Sequence, residues 1–238
     1  VSAPRDRLAC LGAALRRRVH ASSRARRHRL FMQIVRPTAV DSVLDVGATD
    51  LAGYGANTLE ALYPWPERIT AAAVEPLRAF PAAFPAVTVV QVDGRALPFA
   101  DGAFDIVHAN AVVEHVGDAE AQVAFLAELR RVARRVVFVA TPSRSFVVDS
   151  HTLVPFAHWL PPRLRDRVYE WLDVGDWVRG RLRLVGAGEL ERLARLAGCP
   201  HPLVTRQRLL GMTSVLVLSS QLESAGRPHP GATSGAKP

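Results

Sequence analysis

Three carboxylates stand where three apolar runs break or end. Asp45 interrupts Val43-Leu44-Asp45-Val46-Gly47, Glu75 follows the run from Ile69 to Val74, and Asp93 follows the run from Val89 to Val92. Short apolar runs bounded by turn residues read as buried strands. A parallel sheet that delivers an acid at the tip of each successive strand builds a nucleoside pocket along its carboxyl edge. The two oxygens of a carboxylate can accept from both hydroxyls of a ribose, the role expected of Glu75. Gly47 lets backbone approach a ligand closely at the end of the first run.

The histidines offer acid–base chemistry. His115 follows Glu114 at the start of a helical stretch and has an ordinary pKa suited to a general base near neutrality. The alternative is a hydrogen-bonded structural histidine at a helix start. His151 and His158 lie in His151-Thr-Leu-Val-Pro-Phe-Ala-His158-Trp159 and are candidates for the lining of a substrate lid. The spacings 108/115 and 151/158 match no metal motif, so no metal is expected. Lysine occurs once, at Lys237. That excludes a Schiff-base lysine, a phosphate-loop lysine and the Tyr-x-x-x-Lys pair of short-chain dehydrogenases. Two cysteines, Cys10 and Cys199, cannot form a disulfide framework.

Elements in a regular alternation must position these groups. Strands are expected at about 42–47, 69–74, 87–92, 104–109 and 135–140. Between them fall helices at about 55–63, just after Pro76, and at 118–134, the last with Val123, Leu126, Leu129 and Val132 on one face. A helix from 188 to 196 and two β-rich segments, 203–209 and 213–219, follow and read as a closing antiparallel hairpin. The rhythm breaks at 142–184, which holds Trp159, Trp171 and Trp177 and reads as a lid over the strand tips. Alternation of this kind implies right-handed crossovers and a mostly parallel sheet with helices on both faces. Residues 221–238 are rich in Gly, Pro and Ser and are expected to be disordered.

Charge is concentrated at one end. Residues 1–36 hold ten arginines and one acid, Asp6, whereas the remainder carries 20 basic and 21 acidic residues. Two helical segments are expected in this basic extension. One places Leu8, Leu11, Leu15 and Val19 at helical spacing; the other is capped by Ser22 or Ser23 and stopped by Pro37. The arginines are read as a solvated face, as a peripheral contact with anionic lipid, or as a nucleic-acid contact. The last is disfavoured because the body lacks basic stripes with interleaved aromatics. No apolar run approaches the ~18–20 residues of a membrane span, and the protein is expected in the cytoplasm or at the inner membrane surface.

The chain resembles class I S-adenosylmethionine-dependent methyltransferases of the methyltransferase domain 11 type. The resemblance rests on VLDVGATD (43–50), ITAAAVEP (69–76), VVQVDGRALPFADGAFDIVHANAVVEHV (89–116) and GAGELERLARLAG (186–198). It implies a Rossmann-like α/β fold with a seven-stranded, mostly parallel sheet and S-adenosylmethionine as cofactor. Asp45 would then help hold the methionyl amine, Glu75 the ribose, and Asp93 the adenine amino group, with the N–H groups of Gly94 and Arg95 beside it. Asn110 would lie below the sulfonium and His115 near the acceptor. The sequence departs from the family in its first glycine loop. Gly47-Ala48-Thr49-Asp50 replaces the usual Gly-x-Gly-x-Gly, with Gly53 and Gly55 downstream. Thr49, or N–H groups around Asp50, would take over the missing contacts.

These readings converge on a methyltransferase domain at 37–220 that acts on a small-molecule or lipid-linked acceptor. The competing readings are a non-catalytic membrane- or nucleic-acid-binding protein that keeps the fold, and a nicotinamide-dependent oxidoreductase on a related sheet. The missing Tyr-Lys pair and the irregular glycine loop argue against the oxidoreductase.

Overall fold

The computed structural model describes residues 21–50, 57–148, 154–172 and 182–222. Strands β1 (Val43–Val46), β2 (Ile69–Ala73), β3 (Thr88–Gln91), β4 (Phe104–Asn110), β5 (Ala133–Pro142), β6 (Leu203–Leu209) and β7 (Met212–Gln221) form one sheet in the order β3-β2-β1-β4-β5-β7-β6. β7 runs antiparallel to its neighbours β5 and β6, and the other pairs are parallel. The order reverses between β1 and β4. This is the switch point at which crossovers leave to opposite faces and open a crevice beyond the strand tips. The hairpin expected at the end of the sequence is β6–β7.

The central strands are short and apolar because both faces are covered. One face of the sheet packs Leu44, Val46, Val107, Val137 and Val139 against helix α4 (Ala119–Val132) and helix α6 (Ala187–Leu196). Helix α4 starts cleanly because Asp118 accepts from the Ala121 N–H, and Arg130 and Arg131 sit in its last turn, where cations suit the helix dipole. The opposite face packs Val43, Ile69, Ile106 and Phe138 against helix α1, of which 21–35 are described, and against helix α2 (Thr58–Leu62). A short helix α3 (Phe80–Ala83) links β2 to β3.

Helix α1 is already helical at residue 21 and passes through Ser22 and Ser23. Neither serine is therefore the expected N-cap. Phe31 and Val35 are 1% and 2% exposed, so this arginine-rich helix is built into the core. Truncating a buried aromatic such as Phe31 costs about 3–5 kcal/mol. The helix stops before Pro37, and Arg135 donates to the Val35 carbonyl at 2.8 Å and to Asp41 at 3.1 Å. The expected helix at residues 7–20, the glycines Gly53 and Gly55, His151, Trp177 and the tail from 223 lie outside the described residues.

In the 142–184 segment, a turn at Ala157–Trp159 and helix α5 (Pro162–Trp171) enclose Ala157 and Tyr169. Arg183 ties the end of the segment down. Its N–H donates to the Glu114 carbonyl at 2.8 Å, and its guanidinium meets Gln122 and, at 2.5 Å, Glu189. Among the described residues no helix is long and apolar enough to cross a membrane.

Candidate active-site cleft

A cleft opens at the switch point between α1 and the tips of β1, β4 and β5. Its lining includes Asp45 from β1 and Gly47 just past it, His108 and Asn110 from β4, Thr58 and Leu59 from α2, and Arg24, Arg27 and His28 from α1. Parallel pairing of β1 with β4 sets Asp45 beside His108, and the Asp45 carboxylate lies 2.5 Å from His108 Nδ1. The imidazole stacks on Phe138 and meets the edge of Phe31. Burial drives the imidazole towards its neutral form and pushes its pKa well below the ordinary value; nearby Glu60 opposes this and Arg27 adds to it. The neutral ring therefore donates from Nδ1 to Asp45, which leaves Nε2 as its acceptor.

Glu60 completes the cluster from α2. It is 4% exposed, and burial, reinforced by the charge on Asp45, pushes it up to about 9. Two carboxyls this close and this buried do not both ionise, so Glu60 holds a proton at neutral pH. Burial also raises Asp45, and Glu60 partly offsets that rise.

Residues 47–50 of the glycine loop are engaged with neighbouring protein groups. The Gly47 and Ala48 N–H groups both donate to the Ala72 carbonyl, at 2.8 and 3.2 Å. Thr49 exchanges two hydrogen bonds with the Asn57 amide, at 3.1 and 2.8 Å. Asp50 turns away to accept from the Ala79 and Phe80 N–H groups at the start of α3. Gly47 has a φ of +103°, and an added Cβ would meet Val112 Cγ2 at 2.1 Å. Packing thus requires glycine here before any ligand does.

Glu75 lies just past β2, exposed and without a hydrogen bond among the described residues. Asp93 is held by Arg95, whose N–H and guanidinium both donate to it, the latter at 2.7 Å. The pair lowers the Asp93 pKa and keeps it ionised. The Arg95 N–H is therefore spent on Asp93. At Gly94 a Cβ would meet Phe125 and Val46 at 2.8 Å, so close packing against α4 explains this glycine. His115 ends the turn Val113–His115 and is not among the residues lining the cleft. Its neighbour Glu114 is fully buried and accepts from the Thr141 hydroxyl at 2.9 Å. His158 and Trp159 line a separate open groove with Arg144, whose carbonyl accepts from the Trp159 indole at 2.6 Å.

The structure thus brings Asp45, Gly47 and Asn110 into one cleft, with Glu75 and Asp93 past the tips of the adjoining strands. It adds His108, Glu60, Arg24, Arg27 and His28, which the sequence reading did not single out. The spacing 24/27/28/31/35 marks one helix face, and that signal was present in the sequence.

This strand order, with acids past the tips of β2 and β3 and a cleft at the switch point, is that of a Rossmann-like α/β domain. Residues 44–140 match the family model described as "Methyltransferase domain". Over this segment the chain is similar to class I S-adenosylmethionine-dependent methyltransferase domains. No curated protein matches the sequence. Among solved structures, the fold is similar to that of a candidate methyltransferase from Bacillus halodurans C-125, with a TM-score of 0.54 at 15% identity over 81% of this chain and 97% of that one. It is also similar to the YcgJ protein from Bacillus subtilis (TM-score 0.51, 14% identity, 81% and 96% covered). A third similar structure is the (4+2)-cyclase SpnF (TM-score 0.52, 16% identity, 81% and 79% covered). At these identities the likeness is one of fold, and the last case shows that the fold hosts other chemistry.

Proposed function

We propose that this protein transfers a methyl group from S-adenosylmethionine to a small-molecule or lipid-linked acceptor. The observation that carries the reading is the cleft at the β1–β4 switch point, flanked by ionised or exposed acids past β2 and β3. The residues present fit the cofactor. Glu75 would accept from the ribose hydroxyls, Asp93 from the adenine amino group, and the β4 tip at Asn110 would lie beneath the sulfonium. Bound cofactor supplies an electrophilic methyl, transferred by in-line displacement, so the protein's task is position, exclusion of water and care of a proton.

Within the cleft, His108 is the best-placed group to receive that proton. Asp45 fixes its Nδ1–H tautomer and stabilises the imidazolium that forms when Nε2 takes a proton from the acceptor. Protonated Glu60 keeps a second negative charge out of the cleft. His115 remains the alternative base.

Calorimetric titration with S-adenosylhomocysteine, against NADH as control, tests the reading. Binding specific to the homocysteine ligand supports it. Saturable binding of NADH alone would replace it with the oxidoreductase reading. Binding of neither would leave a domain that keeps the fold without the cofactor.

A further inference from the structure

Resting on that reading of the cleft, we propose that Arg24 and Arg27 of helix α1 form a carboxylate-binding subsite at the methionyl end of the pocket, in place of the N–H groups of residues 47–49.

Two independent observations lead there. The first is the engagement of the N–H groups of residues 47–49. A bound amino-acid carboxylate needs donors, and exposed N–H groups in a turn after a strand are the usual source. Here the Gly47, Ala48 and Thr49 N–H groups are all hydrogen-bonded within the protein, and the Asp50 carboxylate is turned to the start of α3. The turn thus presents no N–H group from residues 47–49.

The second is the state of the two arginines. Both line the cleft that also contains Gly47 and Asn110, and Arg24 Nη1 is buried with no hydrogen-bond partner among the described residues. Neither guanidinium makes an ion pair among the described residues. Arg27 is desolvated and repelled by Arg24, with Glu114 as the acid that partly offsets this, and its pKa falls to about 10. It is therefore still cationic at neutral pH. The acids closest to hand are already engaged: Asp45 accepts from His108, and Glu60 carries a proton. Two partly buried cations on one helix face, spaced by three residues, thus have no ion-pair partner among the described residues. A carboxylate bound bidentately by guanidinium supplies one, with charge-assisted hydrogen bonds in a site of low dielectric.

The anion can belong to the cofactor or to the acceptor, and the experiment separates the two. Affinities for S-adenosylhomocysteine and for 5′-methylthioadenosine, which keeps the nucleoside but lacks the amino-acid group, are measured on wild type, Arg24→Met and Arg27→Met. Methionine preserves the aliphatic stem and removes the charge. A loss of roughly 10- to 100-fold for S-adenosylhomocysteine with unchanged methylthioadenosine affinity is expected, and assigns the subsite to the cofactor carboxylate. If both nucleosides bind as in wild type, inorganic phosphate is titrated into protein saturated with S-adenosylhomocysteine. Phosphate binding that disappears in the variants assigns the subsite to the acceptor. Equal losses for both nucleosides, or no change in any titration, overturn the proposal. Wild type that binds neither nucleoside overturns the reading of the cleft instead.

Discussion

Asp45 and His108 are 63 positions apart in sequence, yet they face each other across neighbouring strands at 2.5 Å. The contact fixes the tautomer of the imidazole, and burial sets its charge. With its pKa at about 4, His108 should show no titration between pH 5.5 and 8. Its ring nitrogen shifts, followed by NMR in isotope-labelled protein, should remain those of a neutral ring protonated at Nδ1. A midpoint near 6.5, the ordinary histidine value, would show that the pair is open to water.

Glu60 should make stability fall as pH rises. Its carboxyl ionises at 4.5 when free and at about 9 in the fold, so between these values the unfolded chain binds fewer protons than the native one. Stability is therefore greatest below the lower value and is lost as pH climbs towards the upper one. Asp45 and His108 shift in opposite directions and largely offset each other below 6.5. Above that, Glu60 dominates, with an effect on the order of a few kcal/mol. Glu60→Gln should flatten the decline in melting temperature between pH 6.5 and 9. Parallel profiles for wild type and variant would show that Glu60 is ionised throughout.

Gly47→Ala should destabilise the protein whether or not a ligand is present. The added Cβ meets Val112 Cγ2 at 2.1 Å, and the backbone φ of +103° is one that L side chains rarely adopt. Overpacking and backbone strain together suggest a cost of roughly 2–4 kcal/mol. Urea denaturation of the apo protein measures it. A neutral result would mean that Val112 swings aside freely.

Glu75→Ala and Asp93→Ala should weaken S-adenosylhomocysteine binding by roughly tenfold or more while leaving the melting temperature of the apo protein nearly unchanged. Glu75 supports no structure among the described residues. Asp93 gives up only an exposed ion pair with Arg95, and such pairs are worth about 0–1 kcal/mol. Wild-type affinity in both variants would move the nucleoside elsewhere.

Arg183→Ala should loosen the end of the 142–184 segment. It removes hydrogen bonds to Gln122 and Glu189 while sparing the backbone bond to Glu114. A stability loss of roughly 1–2 kcal/mol is expected, with faster proteolysis in that segment. Unchanged proteolysis would show that the backbone contacts suffice.

The sheet was legible because its strands are short, apolar and separated by helical periods. Val43–Val46 and Ile69–Ala73 fall where continuous burial predicts, and α4 where four apolar residues recur on one face. The tip acids Glu75 and Asp93 could be picked out because a strand's end is visible in the chain itself. The Asp45–His108 pair could not. His108 sits in an apolar run, and its partner depends on the register of β1 against β4, which a single sequence does not state. The inward face of helix α1 was hidden for a related reason. Arg24, Arg27 and His28 share a face with Phe31 and Val35, but only the assembled sheet decides that this face turns inward. Counting charges left the arginines open to solvent, lipid or nucleic acid.

The antiparallel β7 also decides how the molecule can be handled. Because β7 runs back against β5, Leu222 finishes beside Arg135 at the start of that strand, on the edge of the sheet opposite the cleft. Helix α1 runs the other way, with Arg24 at the cleft and Val35 hydrogen-bonded to Arg135. An affinity tag, fluorophore or surface tether joined beyond Leu222 therefore departs from the back of the domain, whereas one joined ahead of α1 starts at the mouth of the pocket. For immobilisation or ligand screening, the carboxyl side is the end to hold.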